Sequence, residues 1–177
     1  MVLLSFIESC NSEKQSYLTL LQNKFCTDHQ STATLSSTLA GMGGIGKTTL
    51  ALQYAHKALE KKEYDLIYWF VSETEFSLIQ GYRHLLDQLN ISNKNQNDEK
   101  VISFLKEYVK DHPEKKCLFI YDNVPEPNFL EDKVLEGDSI HRLITSRFNE
   151  KWTDNIINLD LFSLEDSAEY LFKIIGI

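Results

Sequence analysis

Four of the chain's seven glycines fall between Gly41 and Gly46, and Lys47, Thr48 and Thr49 follow at once. The surrounding stretch, "LAGMGGIGKTTLALQYA" (39–55), fits the pattern G-x-x-x-x-G-K-[ST], the phosphate loop. The spacing has a physical reason. Glycines let consecutive backbone N–H groups turn inward with no Cβ in the way. The loop then ends on a helix N-terminus, where unpaired N–H groups and the helix dipole favour an anion. On this reading Gly41, Met42, Gly43, Gly44, Ile45, Gly46, Lys47, Thr48 and Thr49 wrap a polyphosphate. Lys47 neutralises its β and γ oxygens, and the Thr48 hydroxyl is a ligand for Mg²⁺. The competing reading is a glycine-rich turn that binds nothing.

The flanks support the loop. Ahead of it, "TATLSSTL" (32–39) is β-branched and apolar enough for a strand. After it, Leu50, Ala51, Tyr54, Ala55, Ala58 and Leu59 have helical spacing over about 47–61. Further strands are expected at "YDLIYWFVS" (64–72), "KCLFIYD" (116–122), "HRLITS" (141–146) and "NIINL" (155–159). The unbroken apolar run at 64–72 suits a strand covered on both faces, and Trp69 belongs to that strand rather than to a base-stacking platform. Helices are expected at 12–25, 75–90 and 98–110, and a last one is expected from the Ser163-x-x-Asp166 capping box. Strands alternating with helices predict an α/β fold of three layers, a mostly parallel sheet flanked by helices.

A metal beside a phosphate loop needs a carboxylate at the end of a buried strand. In "CLFIYDNV", four apolar residues lead to Asp122. Asn123 follows it, and an amide can orient a water but cannot take up its proton. Hydrolysis is therefore expected to be slow or absent unless Glu126 or Glu131 substitutes. "HRLITSRF" ends a further strand in Thr145, Ser146 and Arg147; an arginine there can reach a γ-phosphate and report its presence.

Charge and composition narrow the partners. The net charge of -8 argues against a dedicated nucleic-acid binder. Cys10, Cys26 and Cys117 have neither metal spacing nor a disulfide framework, as in a reducing cytosol. The N-terminus lacks the basic region of a signal peptide, and no apolar run is long enough to span a membrane, so a cytoplasmic protein is expected. His56, His84 and His112 read as solvated, and His141 has no assigned role.

Together, "GMGGIGKTTLA", "YWFVS", "CLFIYDNV", "HRLITSR" and "LDLFSLEDSAEYLF" resemble, in order, the NB-ARC branch of STAND-class signal-transduction ATPases, whose core is a P-loop NTPase fold. The likeness runs over roughly residues 6–176. The early "FIES" is similar to the family's F-x-G-R-E lead-in but lacks its glycine and arginine. The resemblance implies ATP or ADP with Mg²⁺ as ligands and phosphate contacts from Gly41 to Thr49. It also implies metal contact by Thr48 and Asp122, and γ-phosphate sensing by Arg147. The family usually has two acids where this chain has Asp122 and Asn123. It also places the sensor strand between the phosphate-loop strand and the Asp122 strand. Residues 1–30 then form a helical lead-in and residues 31–177 the nucleotide-binding domain. Family members continue into a helical lid and a winged-helix domain, with a proline against adenine and a histidine on the β-phosphate; this sequence stops at "FKIIGI" before either. Without the lid, nucleotide should be more exposed and more weakly held.

Three functions remain open on the sequence. The first is a nucleotide-binding core that acts through a protein partner or self-association and is at most a slow ATPase. The second is a competent P-loop ATPase or phosphotransferase. The third is a protein-binding fragment that holds no nucleotide.

Overall fold

The computed structural model describes residues 13–26, 30–37, 45–92, 96–148, 152 and 155–159. The lead-in "FIES", Gly41 to Gly44 of the phosphate loop and the expected helix from Ser163 lie outside the described residues. Among the described residues the order is α1 (Glu13–Cys26), β1 (Thr32–Ser37), α2 (Lys47–Glu60), β2 (Leu66–Val71), α3 (Glu75–Gln88), α4 (Asp98–Asp111), β3 (Cys117–Val124), a 3-10 turn (Pro127–Leu130), β4 (Ile140–Ser146) and β5 (Ile156–Leu159). Each expected strand and helix in the described range is present, with ends shifted by up to two residues.

The strands form a parallel sheet in the order β2-β3-β4-β1-β5. β4 therefore lies between β1, which leads to the phosphate loop, and β3, which carries Asp122 near its end. This is the order the resemblance implied. Both faces of β3 are covered, which explains its unbroken apolar run. Cys117, Phe119 and Tyr121 face one core with residues of α3 and α4. Leu118 and Ile120 face the other, with Leu21 and Phe25 of α1 and Leu50, Ala51, Tyr54 and Ala58 of α2. The alternation is the period-2 geometry of a strand, and it assigns Asp122 to the α2 side. β4 alternates likewise: Ile140 and Ile144 join the first core, Leu143 the second, and Thr145 shares the parity of Leu143.

Two details tighten the layers. Gly81 sits inside α3, where glycine costs about 1 kcal/mol relative to alanine. The reason is proximity, since a Cβ there would stand 3.0 Å from Cδ1 of the buried Phe70 on β2. On the other face, His141 corrects the sequence reading that gave it no role. It is buried, stacks on Phe25 of α1 at 4.7 Å, and its Nδ1 lies 2.7 Å from the Tyr64 hydroxyl. The Tyr64 oxygen in turn lies 3.2 Å from the Tyr54 hydroxyl. In the tautomer with Nδ1 unprotonated, Tyr64 donates to Nδ1 and accepts from Tyr54, so these rings, with Phe25, tie α1, α2 and β4 together. His84 is exposed but bonded to the Tyr68 hydroxyl, and His112 Nδ1 meets the Tyr108 carbonyl.

Two predictions follow from this packing. Gly81→Val should cost roughly 1–3 kcal/mol, read as a lower urea midpoint, because the ring of Phe70 is fixed in the core. Burial and the nearby Lys116 lower the His141 pKa to about 4. Between pH 6.5 and that value the unfolded chain binds a proton that the folded chain refuses, so stability falls as pH drops through this window. The loss is on the order of 2 kcal/mol. Urea titrations at pH 7 and pH 4.5 check it; His141→Gln, which keeps an acceptor for Tyr64 but does not titrate, should lose less over the same interval.

Candidate functional site

α2 begins without a side-chain cap. Its N-cap is Gly46, at φ 95°, and its first turn contains no acid. That dihedral is left-handed and suits only glycine without strain. By contrast, α3 starts with the Thr74–Ser77 capping box, and α4 starts with Asn97 as cap and Asp98 and Glu99 in the first turn. A long helix that starts without a side-chain cap or an acidic residue in its first turn is suited to an external anion. Lys47, the first residue of α2, is 7% exposed, with its pKa lowered first by burial and then by the charge of Arg147, while Asp122 pulls the other way. An anion held between Lys47 and Arg147 would relieve both strains.

Across from the helix, β3 departs from regular pairing. Tyr121 pairs with Ile144 and Val124 with Ser146 on β4, so Asp122 and Asn123 together oppose Thr145 alone. Such a bulge re-aims side chains at a strand end. Asn123 takes φ 63°, a left-handed value that asparagine tolerates better than most residues. The Asp122 carboxylate, 6% exposed, meets the helix here: Thr48 Oγ1 donates to Asp122 Oδ1 at 2.8 Å. Thr145 Oγ1 donates to the same oxygen at 2.6 Å.

Arg147 is exposed just past β4, with both its neighbours tied down. Ser146 Oγ donates to the Val124 carbonyl and accepts the Phe148 N–H, and Ser36 Oγ of β1 donates to the Phe148 carbonyl at 3.1 Å. A cavity of about 260 Å³ opens between these elements, lined by Ile45, Gly46, Lys47, Thr48, Thr49, Asn123 and Arg147. Two cations and a helix start therefore face one space at the carboxyl ends of the strands, where open α/β sheets bind ligands.

Of the sequence-named residues, Lys47, Thr48, Asp122, Asn123 and Arg147 are brought together. Glu126 and Glu131 do not line the cavity. The donor set fits Mg²⁺: a hydroxyl and a carboxylate are hard oxygen ligands, and this ion binds few protein groups and fills its shell with phosphate and water. Among the described residues no cluster of three His, Cys, Asp or Glu side chains could hold a metal by itself. Sequence reasoning missed the parts played by Thr145, Ser36 and Ser146. Their signal is faint: polar residues near the carboxyl ends of β1 and β4, 1%, 0% and 1% exposed. Cys26 is exposed and Cys117 buried, its thiol pushed up to about 11 by burial. No described helix is long and apolar enough to cross a membrane.

The fold has solved counterparts. The chain superposes on the Aeropyrum pernix ORC2 protein, solved in ADPNP–ADP complexes, with a TM-score of 0.59 and 14% identity, over 93% of this chain and 50% of that one. It matches Cdc6p from Pyrobaculum aerophilum with a TM-score of 0.62 and 13% identity, over 97% and 52%. In sequence it is 28% identical over 147 residues to an Arabidopsis thaliana disease resistance protein, covering 77% of this chain and 15% of that protein. It is 26% identical over 100 residues to a nucleotide-binding leucine-rich repeat (NLR)-like protein of Hyaloscypha variabilis, covering 56% and 10%. The match thus spans between about a tenth and a sixth of these curated relatives' length. The NB-ARC domain profile matches residues 16–150, and the chain belongs to that family.

Proposed function

We propose that this chain is the nucleotide-binding core of a STAND-type signalling NTPase, holding ATP or ADP with Mg²⁺ and hydrolysing slowly or not at all. The observation that carries the reading is the 2.8 Å bond from Thr48 to Asp122, which joins the helix after the glycine loop to the acid at the end of β3 beside a cavity flanked by Lys47 and Arg147. A turn that bound nothing would not need two cations and a buried carboxylate at one point. The ADPNP and ADP in the ORC2 structure, a protein of the same fold, add support.

In this reading Gly41 to Thr49 hold the phosphates with main-chain N–H groups and the start of α2. Lys47 pairs with the β and γ oxygens. Thr48 and Asp122 are the metal's protein ligands, and Mg²⁺, when bound, neutralises phosphate charge. Arg147, anchored through Ser146 and Phe148, distinguishes a γ-phosphate from its absence. Asn123 lines the cavity where a base would act on the attacking water, and its amide orients that water without accepting a proton. The protein then works by what its nucleotide state presents to a partner or a second copy, in the cytoplasm, rather than by turnover.

Lys47→Ala should weaken ADP and ATP binding about 10- to 100-fold, measured by isothermal titration, because a charged contact is lost. Absence of heat with either nucleotide in the folded wild-type protein would replace this reading with a purely protein-binding one. Asn123→Asp supplies a carboxylate at a position where aspartate tolerates the left-handed backbone; phosphate release should rise at least about tenfold. Brisk turnover by the unaltered chain would instead favour a competent ATPase.

A further inference from the structure

We propose that Thr145 is a positioning residue of the metal site, holding the Asp122 carboxylate in its metal-binding orientation and coupling it to the strand that carries Arg147. The inference rests on the nucleotide reading above.

The bulge in β3 makes Thr145 the single residue of β4 that opposes both Asp122 and Asn123. Its side chain does what the regular ladder cannot do there. The hydroxyl accepts the Asn123 backbone N–H at 2.9 Å and donates its own proton to Asp122 Oδ1 at 2.6 Å. A hydroxyl has one donor, so its rotation is fixed by these two bonds. The second is as short as a charge-assisted O–H···O⁻ bond should be. At 1% exposure Thr145 is shielded from bulk water.

Thr48 donates to the same Oδ1 from the helix side. The carboxylate is therefore clamped between α2 and β4. Both hydrogen bonds that it receives among the described residues end on one oxygen, which leaves Oδ2 for a cation. Two residues beyond Thr145 stands Arg147, so a shift of β4 that follows a γ-phosphate moves one jaw of the clamp. Loss of the Thr145 hydroxyl would free the carboxylate to turn and leave the Asn123 N–H without its partner.

The test is ADP and ATP affinity, measured by titration in excess Mg²⁺ and in EDTA, for wild type, Thr145→Val and Thr145→Ser. Valine keeps the shape without the hydroxyl. It should weaken binding about tenfold in Mg²⁺, raise the Mg²⁺ concentration for half-maximal effect by a similar factor, and change the EDTA affinity less than about twofold. Serine should keep the wild-type Mg²⁺ response. Equal weakening by valine with and without Mg²⁺ would mean a packing role only and overturn the proposal. If the valine variant does not fold, Thr145→Ser and Thr145→Ala carry the same comparison; a Mg²⁺ response that does not follow the hydroxyl overturns it equally. Wild type that binds nucleotide without regard to Mg²⁺ overturns the metal assignment and this inference, whereas folded wild type that binds no nucleotide removes the reading beneath both.

Discussion

The Asp122 carboxylate is where the two halves of the site meet. It lies near the end of β3, a strand packed on both faces, and it accepts one hydrogen bond from Thr48 on the helix and one from Thr145 on the sheet. A carboxylate this buried would be costly if unpaired. Here two hydroxyls compensate part of that cost, and the amine of Lys47 adds an opposite charge. The geometry depends on strand order. Because β4 separates β1 from β3, the contact described between the β1 side and Asp122 comes through α2, by the Thr48 hydroxyl. The α2 side of β3 is fixed by alternation from Leu118 and Ile120, so a slip of one residue would turn Asp122 toward α3 and α4 and dismantle the site.

The same dependence explains why so much local irregularity sits at one end of the sheet. The bulge at Asp122–Asn123, the left-handed Asn123 and the left-handed Gly46 lie around one cavity. Strained or unusual backbone tends to cluster where chemistry or binding needs it, held in place by well-packed surroundings. The surroundings here are strong. The Phe70 ring packs against both Phe119 and Tyr121, with centroids at 5.7 and 5.2 Å. Tyr121, directly before Asp122, accepts the Leu135 N–H and sits beside Tyr82, whose hydroxyl donates to the Lys133 carbonyl. The segment after β3 is thus fastened back onto the core immediately behind the carboxylate.

Much of this was legible in the sequence. The glycine loop, the apolar run ending at Asp122 and the strand ending at Arg147 each have a period or a spacing that a single chain displays. The parallel sheet followed from strands alternating with helices. What stayed hidden belongs to pairing rather than to pattern. A bulge is a count of residues between two strands, and neither "CLFIYDNV" nor "HRLITSR" reveals that two residues on one face one residue on the other. For that reason Thr145 read as a strand end and no more. His141 was missed on similar grounds: its burial arises from Phe25 and Tyr64, which lie far away in sequence. A polar residue among the apolar ones of β4 was the available clue in both cases, but its partner could only come from the fold.

An acidic protein that holds a polyanion is not a contradiction. Charges separated by more than about 8 Å in water at physiological salt are largely screened, so the total of -8 acts weakly on a ligand inside the cavity. Among the described residues the near field is set by Lys47, Arg147 and the uncapped start of α2, against Asp122. That local balance is positive, and a divalent cation at Thr48 and Asp122 would make it more so. Lys47 experiences the excess directly, since Arg147 lowers its pKa more than Asp122 restores it. Without an anion, two like charges share a half-enclosed space at a cost; with phosphate between them, the same pair becomes attractive. An anion placed between Lys47 and Arg147 would offset that repulsion, and the acidic remainder of the surface affects solubility and encounter rather than the site itself.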